Sequence, residues 1–370
     1  MVTLFVKDMN KETIEDKSLI SWGIVGCGAV CEVKSGPAFY NCVGSKLVAV
    51  MRRNKVKGQD FAQRHSVKKS FSSVSDLLND SSVEAVYVAT PPGGDRIGIS
   101  KLVAAAEKPC YMEKPLGRDG NEAKEICSIF KEANIPLYVA HYRRCMPKFV
   151  IAKKALDEKR IGDITGVTVT LHQSRHKQKK THWRYDKGVS GGGLFIDIGS
   201  HMLDLVEFMI GPILNPIGKA YKTVDDQTAV EDNVRGLWGH TCPFNGKRFG
   251  GTCVFNFTSG GEMKDELEIV GTNGRMIISV FDSKPVEIRI GDDDDIIKLE
   301  NEHPETVQQP MIQLVTQELL KRRDGDCNIQ ESDLDPIVYL CDGESAARTS
   351  LAMDKLLGRE GWNDDSYINK

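Results

Sequence analysis

The sequence predicts an α/β protein, with a doubly wound parallel sheet in its first 142 residues and an α/β domain carrying a mainly antiparallel sheet after them. Three observations carry this prediction. A short apolar strand near the amino end runs into a glycine turn, further apolar strands follow at βαβ spacing, and beyond residue 160 the hydrophobic period switches to two.

Residues 1–18 read as an amino-terminal extension, 19–142 as the dinucleotide-type domain, and 143–370 as a substrate-binding and oligomerisation domain. Leu19 and Ile20 lead through Trp22 to Gly26-Cys27-Gly28-Ala29-Val30-Cys31. Gly26 suits the tight turn, Gly28 lets a pyrophosphate approach the backbone, and Ala29 and Val30 open a helix whose free N–H groups face the phosphates. Cys31 stands where a third glycine is usual. The pattern predicts a helix over 31–40 and a strand over 46–51.

Where an NAD site places an acidic residue against the ribose, this chain reads Met51-Arg52-Arg53-Asn54. Arg52 and Arg53 suit a 2′-phosphate, so NADP(H) is preferred and NAD(H) remains possible. A strand over 85–90 leads to the Thr90-Pro91-Pro92-Gly93-Gly94 loop, and a second strand end is followed by Glu113-Lys114-Pro115. Carboxyl ends of parallel strands are where ligands bind, and a lysine there can exchange protons with a hydroxyl or carbonyl. The last strand of this sheet falls within 135–140.

A helix over 149–159 follows, then period-2 strands within 166–171, 234–238, 252–257 and 267–270. Gly271-Thr272-Asn273-Gly274 reads as a turn. The acidic run from Gly291 to Asp295 reads as a solvated turn between strands at 286–290 and 296–299, because a calcium loop wants spaced ligands. Helices over 308–322 and 343–357 close the chain.

Asp197 and His201, in Gly191-Gly192-Gly193-Leu194-Phe195-Ile196-Asp197-Ile198-Gly199-Ser200-His201, stand four apart, which aims carboxylate and imidazole from one helix face. Asp204 continues that face. The imidazole can supply a proton with the carboxylate orienting it, and the glycines let backbone approach a ligand. No third ligand is evident for a metal, so none is expected. Cys27 and Cys31 lack zinc partners and read as small packing residues with redox sensitivity. The basic stretch 172–184, with Lys177, Lys179 and Lys180, is a lid candidate.

The 370 residues are 40% apolar and 27% charged, enough for two domains with their own cores. A net charge of −3 argues against a general nucleic-acid binder, and no apolar run spans a membrane. Ten scattered cysteines and the acidic Asp8, Glu12, Glu15 and Asp16 near the amino end point to reduced thiols in the cytoplasm.

The glycine turn, Glu113-Lys114-Pro115 and the Asp197–His201 pair resemble the glucose-fructose oxidoreductase, inositol dehydrogenase and rhizopine-catabolism (Gfo/Idh/MocA) family. The resemblance extends through Thr90-Pro91-Pro92, His141-Tyr142-Arg143-Arg144, Ile161-Gly162-Asp163-Ile164 and Trp183-Arg184, and so across nearly the whole chain. It implies a Rossmann domain followed by an α/β domain with a large open, mainly antiparallel sheet, with a sugar or polyol bound between them. It also implies Lys114, Asp197 and His201 as catalytic residues, Tyr142 and Arg184 as further substrate contacts, and a homodimer or tetramer formed through the open sheet. The pattern is similar to NADP-linked sugar reductases of the family. Asp95 and His141 depart from it, where histidine and tyrosine are common. The expected activity is hydride transfer between nicotinamide and a sugar or polyol. Glycoside cleavage with transient redox and dinucleotide sensing without catalysis are the alternatives.

Overall fold

Short runs of buried apolar residues, each ending in a turn, build the first sheet of the computed structural model, which describes residues 19–174, 182–224, 228, 230–291, 295–324 and 334–359. Its strands are β1 (Ile20–Val25), β2 (Ser45–Met51), β3 (Lys69–Phe71), β4 (Ala85–Val88), β5 (Cys110–Met112) and β6 (Leu137–Val139). All pair in parallel in the order β3-β2-β1-β4-β5-β6, so the strand order reverses between β1 and β4. That switch point opens a crevice at the carboxyl ends of the strands. The connecting helices are α1 (Ala29–Val33), α2 (Ala38–Asn41), α3 (Lys55–Arg64), α4 (Val74–Leu78), α5 (Arg96–Ala105) and α6 (Gly120–Glu132).

The helix expected over 31–40 is two short helices. Pro37 caps α2, and a Cβ on Gly36 would lie 2.0 Å from the Cys31 carbonyl oxygen, so the chain folds back tightly at this point. Cys31 is fully buried there. Burial raises its thiol to about 12 and that of Cys27 to about 11, which disfavours the thiolate that redox chemistry needs.

After a 3₁₀ turn at Tyr142–Cys145 come α7 (Pro147–Asp157), β7 (Ile164–His172), α8 (Lys187–Ser190), a π-helical turn at Phe195–Gly199 and α9 (Ser200–Ile210). Seven strands follow: β8 (Leu214–Tyr221), β9 (Asn233–Thr241), β10 (Arg248–Asn256), β11 (Lys264–Gly271), β12 (Gly274–Ile278), β13 (Val286–Ile290) and β14 (Asp295–Leu299). The second sheet has the order β14-β13-β12-β11-β7-β10-β9-β8, antiparallel except where β7 meets β10. β3 and β8 were not expected from sequence, and β12 was implied only by the Gly271–Gly274 turn between two strands; Asp295 opens β14 rather than ending a turn, and Asp292, Asp293 and Asp294 lie outside the described residues. Val167, Val169, Leu171, Phe255 and Ile269 fill the covered face. The other face leaves Ile217 67% and Leu237 56% exposed, and these two are direct cross-strand partners.

The chain closes with α10 (Gln309–Asp324), α11 (Pro336–Tyr339) and α12 (Gly343–Leu356). α10 and α12 return to the first sheet: α12 packs on α6, and the Gln313 side chain bonds both backbone groups of Val43. Among the described residues no helix is long and apolar enough to cross a membrane.

A buried ion pair ties these layers together. Arg144 donates to Asp204 at 3.0 and 2.6 Å, and the same guanidinium reaches the Ser345 hydroxyl on α12 at 2.7 Å. Asp204 therefore does not extend the Asp197–His201 face into the cleft. Arg144→Met would leave a buried carboxylate without its partner, so a loss of about 3–5 kcal/mol is expected in denaturant unfolding. Arg144→Met/Asp204→Leu is expected to recover most of it; a loss below about 1 kcal/mol in the single variant would remove this structural role.

Candidate active site

A cleft of about 1010 Å³ runs over the carboxyl ends of the parallel strands to the π-helical turn. Of the residues that sequence reasoning selected, Gly26, Gly28, Ala29, Val30, Arg52, Arg53, Thr90, Pro91, Glu113, Lys114, Tyr142, Arg184, Asp197 and His201 line it.

One end is shaped by the glycine turn. Gly26 has φ +87°, and a Cβ there would also press on the Thr90 methyl at 2.9 Å. A Cβ at Gly28 would meet only the Gly26 carbonyl, at 3.7 Å, so the space in front of it is open. The first turn of α1 leaves N–H groups without helical partners toward that space. These features fit a dinucleotide pyrophosphate. Arg52 and Arg53 border the same end just past β2, and Arg53 forms no ion pair among the described residues. The Asn54 side chain instead caps α3 by accepting from the Lys57 N–H.

Two loops are held by Arg96, a residue that sequence reading passed over. Its buried guanidinium donates to the carbonyls of Thr90, Glu113, Pro115 and Leu116. It thereby locks the loop after β4 to the loop carrying Lys114. Asp95, where the family pattern has histidine, caps α5 by accepting from the Gly98 N–H at 3.2 Å. The Glu113 carboxylate points into protein, accepting from Tyr87 at 2.8 Å and Gln308 at 2.6 Å.

At the other end Lys114 Nζ donates to the carboxylate and to the main-chain carbonyl of Asp197, both at 2.8 Å. Arg184 Nε donates to the second carboxylate oxygen. Burial pushes the Asp197 carboxyl up, but the Lys114 and Arg184 cations outweigh it and hold the group well below the usual range. Asp197 is thus a fixed anion whose partners are these two cations. The expected role of orienting the imidazole is not seen. Asp197 lies in the π-helical turn and His201 in α9, so the four-residue spacing does not bring their side chains together as in one regular helix.

His201 is buried, with Nδ1 lacking any hydrogen-bond partner, and packs edge-on to Tyr142 at 5.4 Å and Phe281 at 6.1 Å. Burial, then the fields of Lys114 and Arg143, push its pKa well below that of free histidine. Both effects favour the neutral imidazole.

The three glycines before this turn do not line the cleft. Gly191 has φ +84°, and a Cβ there would lie 2.0 Å from the Arg118 carbonyl oxygen; one on Gly193 would lie 2.5 Å from that of Glu231. Their small size accommodates other protein segments rather than a ligand. Of the basic stretch, His182 and Arg184 line the cleft, while Lys177, Lys179 and Lys180 lie outside the described residues.

Among the described residues, one group offers three metal-type ligands together: His141, Asp204 and Cys341. Arg144 already engages both oxygens of that carboxylate, and burial keeps the Cys341 thiol protonated. The guanidinium occupies the place a cation would take.

Comparison with known proteins agrees with this geometry. Residues 20–141 match the oxidoreductase family with NAD-binding Rossmann fold, and residues 149–277 match the Gfo/Idh/MocA C-terminal domain. Oxidoreductase P35 of Formosa agariphila is 35% identical over 85% of this chain and 96% of its own length. The 1,5-anhydro-D-fructose reductase of Ensifer adhaerens is 27% identical over 72% of this chain and 78% of its own. Among solved structures, levoglucosan dehydrogenase in complex with NADH and levoglucosan superposes with TM-score 0.77 at 20% identity, covering 95% of this chain and all of that one. The glycine turn, the open sheet and these matches together make the chain a member of the Gfo/Idh/MocA oxidoreductase family.

Proposed function

We propose that the protein is an NAD(P)-dependent oxidoreductase that interconverts a carbinol and a carbonyl on a sugar or polyol, with NADP(H) preferred. The observation that carries this is Lys114: two of its three N–H groups are spent on Asp197, which leaves the third for a substrate oxygen in the cleft. Bound between the glycine turn and Lys114, the dinucleotide supplies or accepts the hydride. The chain's own groups handle the oxygen and its proton. Lys114 gives its proton to the oxygen in reduction and takes it back in oxidation; Asp197 keeps the amine aimed. His201, which its surroundings keep neutral, positions the oxygen by a hydrogen bond and does not hold the proton. Tyr142 and Arg184 flank the substrate.

The cofactor preference rests on Arg52 and Arg53 at the end of β2 and on the absence of a carboxylate there. The cytoplasmic assignment rests on the nine described cysteines, all buried and none in a disulfide. The uncovered face around Ile217 and Leu237 is the surface through which we expect two copies to pair.

Three measurements test this reading. Lys114→Met is expected to lower kcat by about 10²–10⁴-fold while dinucleotide binding persists, as loss of a general acid does; a change within threefold ends the assignment. In fluorescence titrations Arg53→Ala is expected to weaken NADPH about tenfold or more and NADH little, in line with the roughly 1.5–3 kcal/mol of a charge-assisted bond. Equal weakening would deny it a 2′-phosphate role. In sedimentation velocity the wild type is expected to run as a dimer or larger and Leu237→Asp to dissociate; a monomeric wild type refutes the pairing.

A further inference from the structure

Beside the catalytic end of the cleft lies a smaller cavity of about 200 Å³, and the two share Lys34, Tyr142, Arg143 and Phe281. Arg143 stands at their junction. Its guanidinium lies 4.6 Å from the centre of the Phe281 ring, 5.6 Å from that of Tyr142 and 5.8 Å from that of Phe149. One terminal N–H donates to the Val280 carbonyl at 2.5 Å, whereas Nε is buried with no hydrogen-bond partner. No carboxylate pairs with it among the described residues. The field of Asp265 reaches it; one oxygen of that carboxylate accepts from the Ser279 hydroxyl and the Phe281 N–H, and the other is buried with no hydrogen-bond partner among the described residues.

Lys34 is likewise without an ion-pair partner among the described residues. Lys148, the third cation of the side cavity, differs in lying 3.7 Å from Asp282. Glu302 also lines that cavity and is exposed. The catalytic end of the cleft therefore gathers four cations, Lys34, Lys114, Arg143 and Arg184, with two carboxylates: Asp197, taken up by Lys114 and Arg184, and Glu113, which accepts from Tyr87 and Gln308 and whose field reaches Lys34. A guanidinium stacked among three aromatic rings, with an unused buried donor and the field of Asp265 but no ion-pair contact among the described residues, is a costly arrangement for the protein alone. It is suited to an oxyanion that arrives with the ligand, because a planar guanidinium edge binds carboxylate or phosphate oxygens in pairs.

We propose that the substrate is an anionic sugar derivative whose oxyanion, a carboxylate or a phosphate, is held by Arg143 and Lys34 where the cleft meets the side cavity, while its reacting carbinol faces Lys114. This rests on the oxidoreductase reading and narrows it to sugar acids or sugar phosphates.

The test compares matched pairs with NAD⁺ and NADP⁺: D-glucose against D-glucuronate and glucose 6-phosphate, and D-galactose against D-galacturonate. The anionic member is expected to have at least tenfold higher kcat/KM, and the acid and phosphate arms separate the two oxyanions. Arg143→Met and the rim variant Lys34→Met are each expected to raise KM for the anionic member at least tenfold, with NADPH affinity changed less than threefold; Arg143→Lys should recover part of the loss. Equal or better turnover of the neutral members, or a preference that survives in both variants, overturns the proposal. If no member of the panel turns over, calorimetry on NADPH-saturated protein decides it. Binding of D-galacturonate or glucose 6-phosphate that disappears in Arg143→Met supports the oxyanion site, and binding of neither overturns it. Failure to bind NADPH or NADH brings down the oxidoreductase reading instead.

Discussion

The architecture of the site depends on one buried carboxylate. Asp197 sits in a π-helical turn where it meets the ammonium of Lys114 from the first sheet and the guanidinium of Arg184 from the segment before α8. An ionised carboxylate taken out of water is tolerated only when paired and hydrogen-bonded. Here the requirement is met by two groups from different parts of the chain, so satisfying it also fixes the position of one sheet's loops against the other domain's helix. The bond from Lys114 to the Asp197 carbonyl adds a second constraint on the same nitrogen. Arg96 completes the arrangement from below, because its four carbonyl contacts hold the backbone from which Lys114 projects.

A second ion pair performs the complementary task for α9. Arg144 and Asp204 are both almost fully buried, and with Ser345 they join the 3₁₀ turn after β6, α9 and α12. His201 rides on α9 one turn before Asp204, so its place in the cleft is inherited from this pair. The imidazole's electrical state has a different origin. It is enclosed by aromatic rings and faces Lys114 and Arg143, and both burial and like charge oppose a proton on it. His141, buried beside Asp204, is also pushed down, to about 4, by burial. In the proposed mechanism the histidines at this end thus contribute dipoles and shape, and Lys114 passes the proton.

The sequence made most of the parallel strands, the glycine turn and most strands of the second sheet legible because each is a local pattern: apolar runs of strand length, or alternation at period two; the short β3, Lys69-Ser70-Phe71, has no such pattern. The residues named for the candidate site line one cleft, but their contacts were not legible. The four-residue spacing of Asp197 and His201 suggests mutual contact, but a π-helical turn intervenes and the carboxylate turns to Lys114, 83 positions away in sequence. Gly191 and Gly193 look like a ligand cradle, yet their neighbours are the Arg118 and Glu231 carbonyls, which only the tertiary fold brings near. Arg96 carries no local signature, since an arginine that pins loops reads the same as one on a surface, and Arg143, legible only within the His141-Tyr142-Arg143-Arg144 pattern, gives no sign of the rings it stacks on. β8 was missed for a related reason: with Pro216, Gly218 and Lys219 it shows little strand character, and its place at the sheet edge comes from pairing with β9.

Charge distribution links these features to function. The chain as a whole carries −3, yet the cleft has arginines at its dinucleotide end and four cations around Asp197 at its catalytic end. A negative protein with a positive cleft is not explained by solubility, for which dispersed charge would serve. Low-dielectric walls focus such a field, and salt screens partly buried charges less than exposed ones. At the dinucleotide end the field has an evident counterpart in the cofactor phosphates. At the catalytic end the described residues offset it only in part: Asp197 is shared between two cations, Glu113 is turned to Tyr87 and Gln308, and Arg143 is held by rings and a carbonyl, with Asp265 acting on it through its field alone. Once it displaces water from the cleft, a neutral sugar would leave that guanidinium without an ion-pair partner. An oxyanion on the substrate would neutralise it and, being fixed at one point, would also limit which carbon of the ring can lie next to Lys114. Recognition of charge and choice of the reacting carbon would then follow from the same contact.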